Sequence, residues 1–303
     1  MELTELTTEI RNEKSKNIDQ MNTIAMLRTI NNEDKTVAYA VEKVLEEIAV
    51  AVDQIYIALS NGGRLFYVGA GTSGRLGVMD SSECVPTFMV SEDMIQTVMA
   101  GGENAIIHAA EGAEDDEVQG GLDLRQYHLT KKDVVIGITA SGRTPYPIGA
   151  LKEAQHIGAY TISLSCNNHS KISKYADCPI EVIVGPEVLT GSTRMKAATA
   201  HKMILNMMST SVMIKLGKVY ENLMIDVHAS NVKLKERAKN IVMEITDVTD
   251  SEAKTVLEQT NYKVKVAIVM ILAKAPYEKS LQALKEQKGY VREAIHSLSG
   301  KKV

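Results

Sequence analysis

Five short apolar runs alternate with amphipathic segments through the middle of the chain, and this alternation predicts the fold. The runs lie at residues 65–69, 95–99, 134–139, 160–165 and 181–184, and helices are predicted between them near 75–82, 104–113 and 147–157. Runs of four to six mainly apolar residues are typical of strands buried on both faces. The pattern therefore predicts an α/β fold with a doubly wound parallel sheet.

Helical periodicity dominates on both sides of these runs. Before them, an apolar stripe predicts one long amphipathic helix over about 34–60, which follows a polar, partly irregular arm at 1–33. After them, a helix is predicted at about 193–216 and shorter helices near 235–246, 251–258, 263–273 and 277–287. We therefore predict an N-terminal arm and long helix at 1–60, an α/β domain at 61–234 and a small all-helical domain at 235–303.

The composition narrows the choice of partners and compartment. The net charge is −4 at pH 7, so the chain has no basic field that would attract nucleic acid or an anionic membrane. Cys84, Cys166 and Cys178 have no paired spacing, which argues against a disulfide framework and favours a reducing compartment. Residues 1–19 lack an apolar signal segment and no apolar run reaches membrane-spanning length, so we expect a cytoplasmic protein.

A Ser-Gly-Arg tripeptide follows two of the predicted strands. Residues 69–75 read Gly-Ala-Gly-Thr-Ser-Gly-Arg, and residues 139–144 read Thr-Ala-Ser-Gly-Arg-Thr. Both segments bring hydroxyl and backbone N–H groups to the carboxyl ends of parallel strands, where open α/β sheets bind ligands and helix N-termini favour anions. We therefore expect two loops to bind a phosphorylated small molecule. Ser192, Thr193 and two cations at 194 and 196 offer a further anion contact, although helix capping by Ser192 explains part of that pattern equally well.

The first loop also matches the dinucleotide-binding pattern G-x-G-x-x-G. That pattern is followed by an acidic residue about 20 positions on, at the end of the next strand, whereas Glu92 and Asp93 precede the next apolar run. The second hydroxyl-rich loop further disfavours this alternative, because a dinucleotide site does not require it. The sequence also contains no G-x-x-x-x-G-K-[ST] pattern, which disfavours hydrolysis of ATP or GTP.

Two acidic segments follow the loops. Glu83 is a lone acid among apolar and hydroxyl residues, where lost hydration would favour proton transfer near neutral pH, although a helix-end capping acid is the simpler interpretation of the pattern. The acidic run at 111–117 is typical of a solvated helix face or of a first helical turn. The seven histidines show no metal-ligand spacing, so we predict no metal site.

Taken together, several segments closely resemble the N-acetylmuramic acid 6-phosphate etherase family. They are residues 68–77, 82–84, 111–116, 140–146 and 191–196, and the resemblance extends over nearly the whole chain. The sequence departs from the family pattern at Val85, where proline is expected, at Met89, where glycine is usual, and at His201, where glutamine is more typical. None of these departures removes a group that the family uses in catalysis.

The resemblance implies a sugar isomerase (SIS) fold with a five-stranded parallel sheet, and a homodimer with active sites at the subunit interface. The implied reaction cleaves the D-lactyl ether of N-acetylmuramic acid 6-phosphate with water, without a metal or organic cofactor, and gives N-acetylglucosamine 6-phosphate and D-lactate. By the same resemblance, Glu114 takes and returns the C2 proton, and Glu83 protonates the departing lactate. For Glu114, this role replaces the interpretation of the acidic run as a solvated helix face. The residues implied to bind the phosphate are Thr72, Ser73, Ser141, Thr144, Ser192 and Thr193.

Two other functions stay open at this stage. A sugar-phosphate sensor on the same fold would need an output module, and residues 1–60 show no basic helix-turn-helix that could bind DNA. A regulator that acts on a kinase is compatible with the composition, although binding alone requires neither Glu83 nor Glu114. An aldose–ketose isomerase would also need a base near C1 and C2, and only the release of lactate distinguishes it from an etherase.

Overall fold

Five strands form an all-parallel sheet in the order β2-β1-β3-β4-β5 in the computed structural model, which describes residues 6–227 and 231–300. The strands are β1 (Leu65–Gly69), β2 (Ile95–Met99), β3 (Val134–Thr139), β4 (Tyr160–Ser165) and β5 (Cys178–Glu181). Every residue of β1 and β3 is buried, as the uninterrupted apolar runs predicted. The last strand lies three residues earlier than predicted, because its pairing ends where the Val182 N–H donates to the carbonyl of Ser165, the last residue of β4.

Seven helices connect or flank these strands in the described residues. They are α1 (Thr23–Glu42), α2 (Leu45–Ser60), α3 (Gly71–Phe88), α4 (Asn104–Ile107), α5 (Glu117–Arg125), α6 (Pro145–Ile157) and α7 (Lys196–Lys215). The prediction of one long helix over 34–60 is wrong. Asn22 caps α1 by accepting the N–H of Ala25, which starts that helix well before residue 34, and the non-helical backbone of Val44 separates it from α2.

Close packing against α6 explains why α5 was not predicted. Gly120 lies so near the carbonyl oxygen of Tyr146 that an added Cβ would be 2.0 Å from it. In the opposite direction, a Cβ on Gly149 would lie 1.7 Å from the carbonyl oxygen of Glu117. Glycine lowers helix propensity, so the Gly120-Gly121 pair conceals the helix in the sequence, while the absent side chains allow the two backbones to touch.

After α7, the described residues form a short hairpin and five helices. Strands β6 (Val219–Tyr220) and β7 (Leu223–Met224) pair antiparallel, and the helices are α8 (Val232–Thr246), α9 (Asp250–Gln259), α10 (Val264–Leu272), α11 (Tyr277–Glu286) and α12 (Val291–Ser299). Their apolar faces share a core that includes Val242, Leu257 and Ile268. The helices predicted near 235–246, 251–258, 263–273 and 277–287 are confirmed to within three residues at their ends, whereas the hairpin and α12 were not predicted.

Contacts divide the chain into one unit of Met1–Ser82 with Glu92–Ser209 and another of Glu83–Ser91 with Thr210–Val303. The boundaries predicted at 60/61 and 234/235 stay predictions. Cys84, Cys166 and Cys178 are all buried, and none of them forms a disulfide. Within the described ranges no helix is both long and apolar enough to cross a membrane.

Candidate functional site

The two Ser-Gly-Arg loops leave neighbouring strands of the sheet. Strand β1 lies beside β3, with Gly69 paired with Ile138 near their carboxyl ends. In the order β2-β1-β3-β4-β5, connections from β1 and β3 lead to opposite sides of the sheet, and open α/β sheets bind ligands at such a point. Because adjacent strands lie about 4.8 Å apart, the two loops begin side by side. The sequence predicted two loops, and the strand order brings them together.

The first loop is a tight turn from β1 into α3 that requires glycine at two positions. A Cβ on Gly69 would lie 2.9 Å from the backbone nitrogen of Gly74, and a Cβ on Gly74 would lie 2.8 Å from the carbonyl oxygen of Gly69. Thr72 and Ser73 follow directly in the first turn of α3 and are half-buried. Their hydroxyls therefore lie at a helix N-terminus, where backbone N–H groups and the helix dipole favour an anion.

The second loop holds a cluster of three hydroxyl groups. The hydroxyl of Thr139 lies 2.7 Å from that of Thr144 and 3.3 Å from that of Ser141, which also accepts the N–H of Arg143. Gly142 has φ +71°, and a Cβ there would lie 2.1 Å from the Ser170 hydroxyl oxygen, so the turn requires glycine. Thr139, the last residue of β3, belongs to this cluster, but the sequence offered no reason to separate it from the strand.

The N-terminal arm connects the second loop to Gly191, and no sequence pattern predicted this connection. Asn167 donates to the carbonyl of Ala140 and to the hydroxyl of Thr8, at 3.0 and 3.2 Å. Its side-chain oxygen accepts both the N–H and the hydroxyl of Thr7. The carbonyl of Thr8 in turn accepts the Gly191 N–H at 3.3 Å. Thr7 and Thr8 lie about 160 residues from Asn167 in sequence, and no local pattern indicates such a contact.

The start of α7 differs from the prediction. The helix begins at Lys196, and its first N–H groups, those of Lys196 and Ala197, each donate to the buried carboxylate of Glu187 at 2.9 Å. Glu187 is therefore the capping group, and the alternative interpretation, in which Ser192 caps this helix, is wrong. The ammonium of Lys196 is buried and bonds the carboxylate of Glu33 at 3.0 Å, so it is not directed at an anionic ligand. Ser192 and Thr193 remain half-buried beside Gly191.

Glu114 lies beside the first loop. It belongs to a short 3-10 helix, Ala113–Asp115, and lines a cavity of about 190 Å³ together with Ala70 and Gly71. Its side chain is exposed. The predicted helix at 104–113 is shorter than expected, because α4 ends at Ile107 and the guanidinium of Arg75 bonds the carbonyls of residues 105, 106 and 108. Further along the acidic run, Asp116 caps α5, as expected of acids in a first helical turn.

Glu83 lies inside α3, five residues before the end of that helix, so it is not a helix-end cap. Its side chain is exposed, and the expectation that its carboxyl loses hydration is therefore wrong for the single chain. The neighbouring Cys84 is buried, so its side chain faces inward while the side chain of Glu83 faces solvent. No three His, Cys, Asp or Glu side chains cluster as metal ligands in the described residues, and His228 lies outside them.

Comparisons with known proteins identify the fold and the family. Residues 115–211 match the SIS domain, residues 47–155 match the glucokinase regulatory protein N-terminal SIS domain, and residues 221–301 match the C-terminal lid domain of glucokinase regulatory protein. A phosphoheptose isomerase from Neisseria gonorrhoeae superposes with a TM-score of 0.50 over 63% of this chain and 98% of its own, at 19% identity. That similarity concerns the fold alone.

Full-length relatives are much more similar. N-acetylmuramic acid 6-phosphate etherase from Bacillus subtilis (strain 168) is 55% identical over 97% of this chain and 97% of its own. The etherase from Bacillus pumilus (strain SAFR-032) is 56% identical with the same coverage, and that from Clostridium botulinum (strain Loch Maree / Type A3) is 54% identical over 98% of each chain. The chain therefore belongs to the N-acetylmuramic acid 6-phosphate etherase family.

Proposed function

We propose that the chain is a carbon–oxygen lyase that cleaves the D-lactyl ether of N-acetylmuramic acid 6-phosphate. Water is the second reactant, and the products are N-acetylglucosamine 6-phosphate and D-lactate. The observation that carries this proposal is 54–56% identity to named etherases over nearly the full length of both chains. The reaction belongs to the recovery of cell-wall amino sugars, and buried cysteines without disulfides are compatible with the reducing cytoplasm in which we expect it to occur.

The chemistry requires one base and one acid. The ether oxygen is attached to C3, which is β to the aldehyde carbon of the open-chain sugar, so the C2 proton is acidified. Removal of this proton expels lactate from C3 and leaves a C2–C3 double bond. Water then adds its oxygen to C3, and the proton returns to C2. General acid–base groups of this kind contribute about 10²–10⁴-fold to the rate.

Glu114 is the proposed base at C2. It shares a cavity with Gly71 of the first loop, so a sugar whose phosphate lies at the start of α3 would extend toward this carboxylate. The proposed phosphate ligands are Thr72 and Ser73 of the first loop, Ser141 and Thr144 of the second loop, and Ser192 and Thr193 beside the arm. We further propose that residues 61–234 form the sugar-phosphate-binding domain, flanked by the segments 1–60 and 235–303.

Glu83 is the proposed acid, and its position favours a homodimer. It lies three helical turns beyond Thr72 on α3, about 16 Å along the axis. That span is longer than the separation of the phosphate and C3 in one hexose phosphate. A second subunit that brings its own Glu83 to the phosphate loops of the first would remove this discrepancy. We therefore propose active sites at the interface of a homodimer, in which exposed carboxyls become covered.

Release of D-lactate from purified protein tests the activity directly. A sensor or an aldose–ketose isomerase on the same fold would bind the substrate without releasing lactate. In deuterated water the N-acetylglucosamine 6-phosphate product should carry deuterium at C2. In ¹⁸O-water the label should enter its C3 hydroxyl, while lactate stays unlabelled. Label in lactate instead would indicate substitution at the lactyl carbon and would refute the elimination.

Glu114→Gln tests the base. It should abolish C2 exchange and lactate release together, because the elimination cannot begin without removal of the C2 proton. Asp115→Asn is the matched control, since Asp115 is the next residue of the same 3-10 helix but does not line the cavity. If Glu114→Gln still exchanged C2 rapidly, the base would be another group, and Glu111, which lines the same cavity, would be tested next.

A further inference from the structure

The second unit contains a cavity of about 560 Å³ that the proposed reaction does not use. The residues that form its apolar walls include Met89, Ile225, Val227, Val264, Val266 and Leu284. The charged residues in its lining are Lys235, Lys263, Lys265 and Asp226. Three ammonium groups and one carboxylate leave the lining with an excess of positive charge, so the cavity attracts anions.

The charge at the centre of this lining is not balanced within the described residues. The ammonium groups of Lys265 and Lys218 both contact the same oxygen of Asp226, at 2.8 and 3.0 Å. The side chains of Lys265 and Asp226 are only 16% and 19% exposed. Burial lowers the pKa of Lys265, although Asp226 opposes this effect. One carboxylate cannot neutralise two ammonium groups, and a partly dehydrated excess charge is costly unless an anion compensates it.

Two further lysines extend the positive surface of the cavity. The Lys235 ammonium lies 4.9 Å from the ring centre of Tyr262, and that of Lys263 donates to the hydroxyl of Tyr277 at 3.4 Å. Of the carboxylates that the structure describes, none forms an ion pair with either lysine. The loop between α9 and α10 holds Tyr262 at φ +58°, next to Asn261 at φ +50°, and this backbone region is costly for an aromatic residue. Such strain is common at ligand sites.

We propose that this cavity binds the phosphate group of a small phosphorylated molecule. Lys265, Lys235 and Lys263 contact the phosphate, and the Tyr262 ring and the apolar walls contact the organic part. Two ligands could supply the phosphate group: a sugar phosphate, such as the product of the proposed reaction, and inorganic phosphate itself. A sugar phosphate can also use the aromatic wall, so it should bind more tightly than inorganic phosphate. The lining of this cavity includes no residue of the two phosphate loops, and the proposal does not depend on the proposed function.

Calorimetric titration of the full-length protein tests this site. The probes are N-acetylglucosamine 6-phosphate, inorganic phosphate and uncharged N-acetylglucosamine, and the protein carries Ser73→Ala and Ser141→Ala to weaken the loop site. One binding event per chain should remain for the sugar phosphate, and the uncharged sugar should not bind. Binding that is equally tight for inorganic phosphate would identify that ion as the ligand.

Lysine variants in the same background locate the binding event. Lys235→Gln and Lys263→Gln should each weaken it by about fivefold, the upper range for an exposed ion pair. Lys254→Gln is the matched control, because Lys254 is exposed on α9, lies in the same unit and does not line the cavity. Lys265→Met should weaken binding by about tenfold or more. If Lys265→Met prevents folding because this lysine is partly buried, Lys235→Gln and Lys263→Gln decide whether the cavity binds the sugar phosphate.

Two results would overturn the proposal. One is that Lys235→Gln and Lys263→Gln bind the sugar phosphate as tightly as Lys254→Gln does. The other is that the double loop variant binds no phosphate-bearing probe, which would leave the loops as the binding site. Lactate release is measured separately on the wild-type protein. Its absence would refute the proposed function and would leave the result for the cavity unchanged.

Discussion

The buried imidazole of His201 should make the fold sensitive to mild acid. Its side chain is 1% exposed, and Nε2 lies 3.3 Å from the sulfur of Cys166, which offers no charge to stabilise an imidazolium. Burial lowers the pKa of His201 from 6.5 to about 4. A folded-state pKa below the unfolded value means that the unfolded chain binds the proton first as pH falls. Stability from this group is therefore complete above pH 6.5 and decreases down to about pH 4.

The size of the effect follows from this difference in pKa. Each pH unit between the unfolded and folded pKa values costs up to about 1.4 kcal/mol, so the loss should be about 1.4 kcal/mol at pH 5.5 and about 2.6 kcal/mol at pH 4.5. His201→Gln removes the titrating group and keeps a polar side chain of similar size. We expect the free energy of unfolding of this variant to vary less with pH over this range than that of the wild-type protein.

Other buried carboxyls also titrate, so the comparison is the difference between two proteins. Burial raises the pKa of Glu33, but the hydrogen bonds from Lys14, Lys196 and Asn12 outweigh it and lower the pKa to about 2, so stability from Glu33 is lost only below pH 4.5. Burial raises the pKa of Glu187, although the N–H groups of Ala197 and Lys196 oppose this, and its contribution therefore has the opposite sign. Both contributions cancel when the variant is subtracted from the wild type.

Urea unfolding at several pH values between 7.5 and 4.5 measures the difference. The chain has no tryptophan, so far-ultraviolet circular dichroism is the suitable probe. His156→Gln is the control, because His156 is exposed on α6. If the unfolding free energies of wild type and His201→Gln stay parallel from pH 7.5 to 4.5, the reasoning from burial is wrong. If His156→Gln reproduces the effect, it does not come from His201.

Four further substitutions have defined outcomes. Glu83→Gln should keep the circular dichroism spectrum and lower lactate release by about 10²–10⁴-fold, because an amide cannot protonate the leaving oxygen; turnover near the wild-type rate would remove Glu83 from the mechanism. Ser73→Ala and Ser141→Ala should each weaken binding of the sugar phosphate by about one to two decades in Kd, measured by calorimetry; normal binding by both would refute the two-loop site. Met89→Gly should raise the free energy of urea unfolding by about 0.5 kcal/mol. At φ +50° the strain of methionine exceeds the entropy cost of the more flexible unfolded chain with glycine. A less stable variant would contradict this.

Burial on both faces made the sheet predictable, and long-range contacts made parts of the helices unpredictable. Strands such as β1 and β3 have a continuous apolar run because no face meets solvent, so their bounds were predicted to the residue. The break at Val44 carries no glycine or proline, and its neighbours continue the apolar stripe, so no local signal marks it. No helix was predicted at α5, because its glycines lower helix propensity and only the contact with α6, about 28 residues away, explains them.

In the candidate site, too, local motifs were predictable from the sequence and long-range contacts were not. Local motifs predicted the hydroxyls of Ser73 and Ser141, because a loop that follows a buried strand has a known place in a parallel sheet. The contributions of Thr8, Asn167 and Glu187 arise from tertiary contacts, and each of these residues has an ordinary sequence neighbourhood. The capping role of a buried acid such as Glu187 can be found only from the structure, which shows the two backbone N–H groups that donate to its carboxylate.

Within one chain, the second phosphate loop of the proposed site is already organised, whereas the two proposed catalytic carboxyls are exposed to solvent. The hydroxyls at the end of β3 and in the second loop already bond one another, with Thr139 at 2.7 Å from Thr144, so this loop needs little rearrangement to bind a phosphate. Glu83 and Glu114 are exposed, and an exposed carboxyl exchanges protons with water as readily as with a substrate. Catalysis requires both carboxyls to be held against the substrate, with access limited to the water that adds to C3 and exchanges with the proton on the base. The second subunit proposed above would cover these side chains and meet that requirement, so measured affinity tests the loops of one chain, whereas measured turnover tests the proposed dimer.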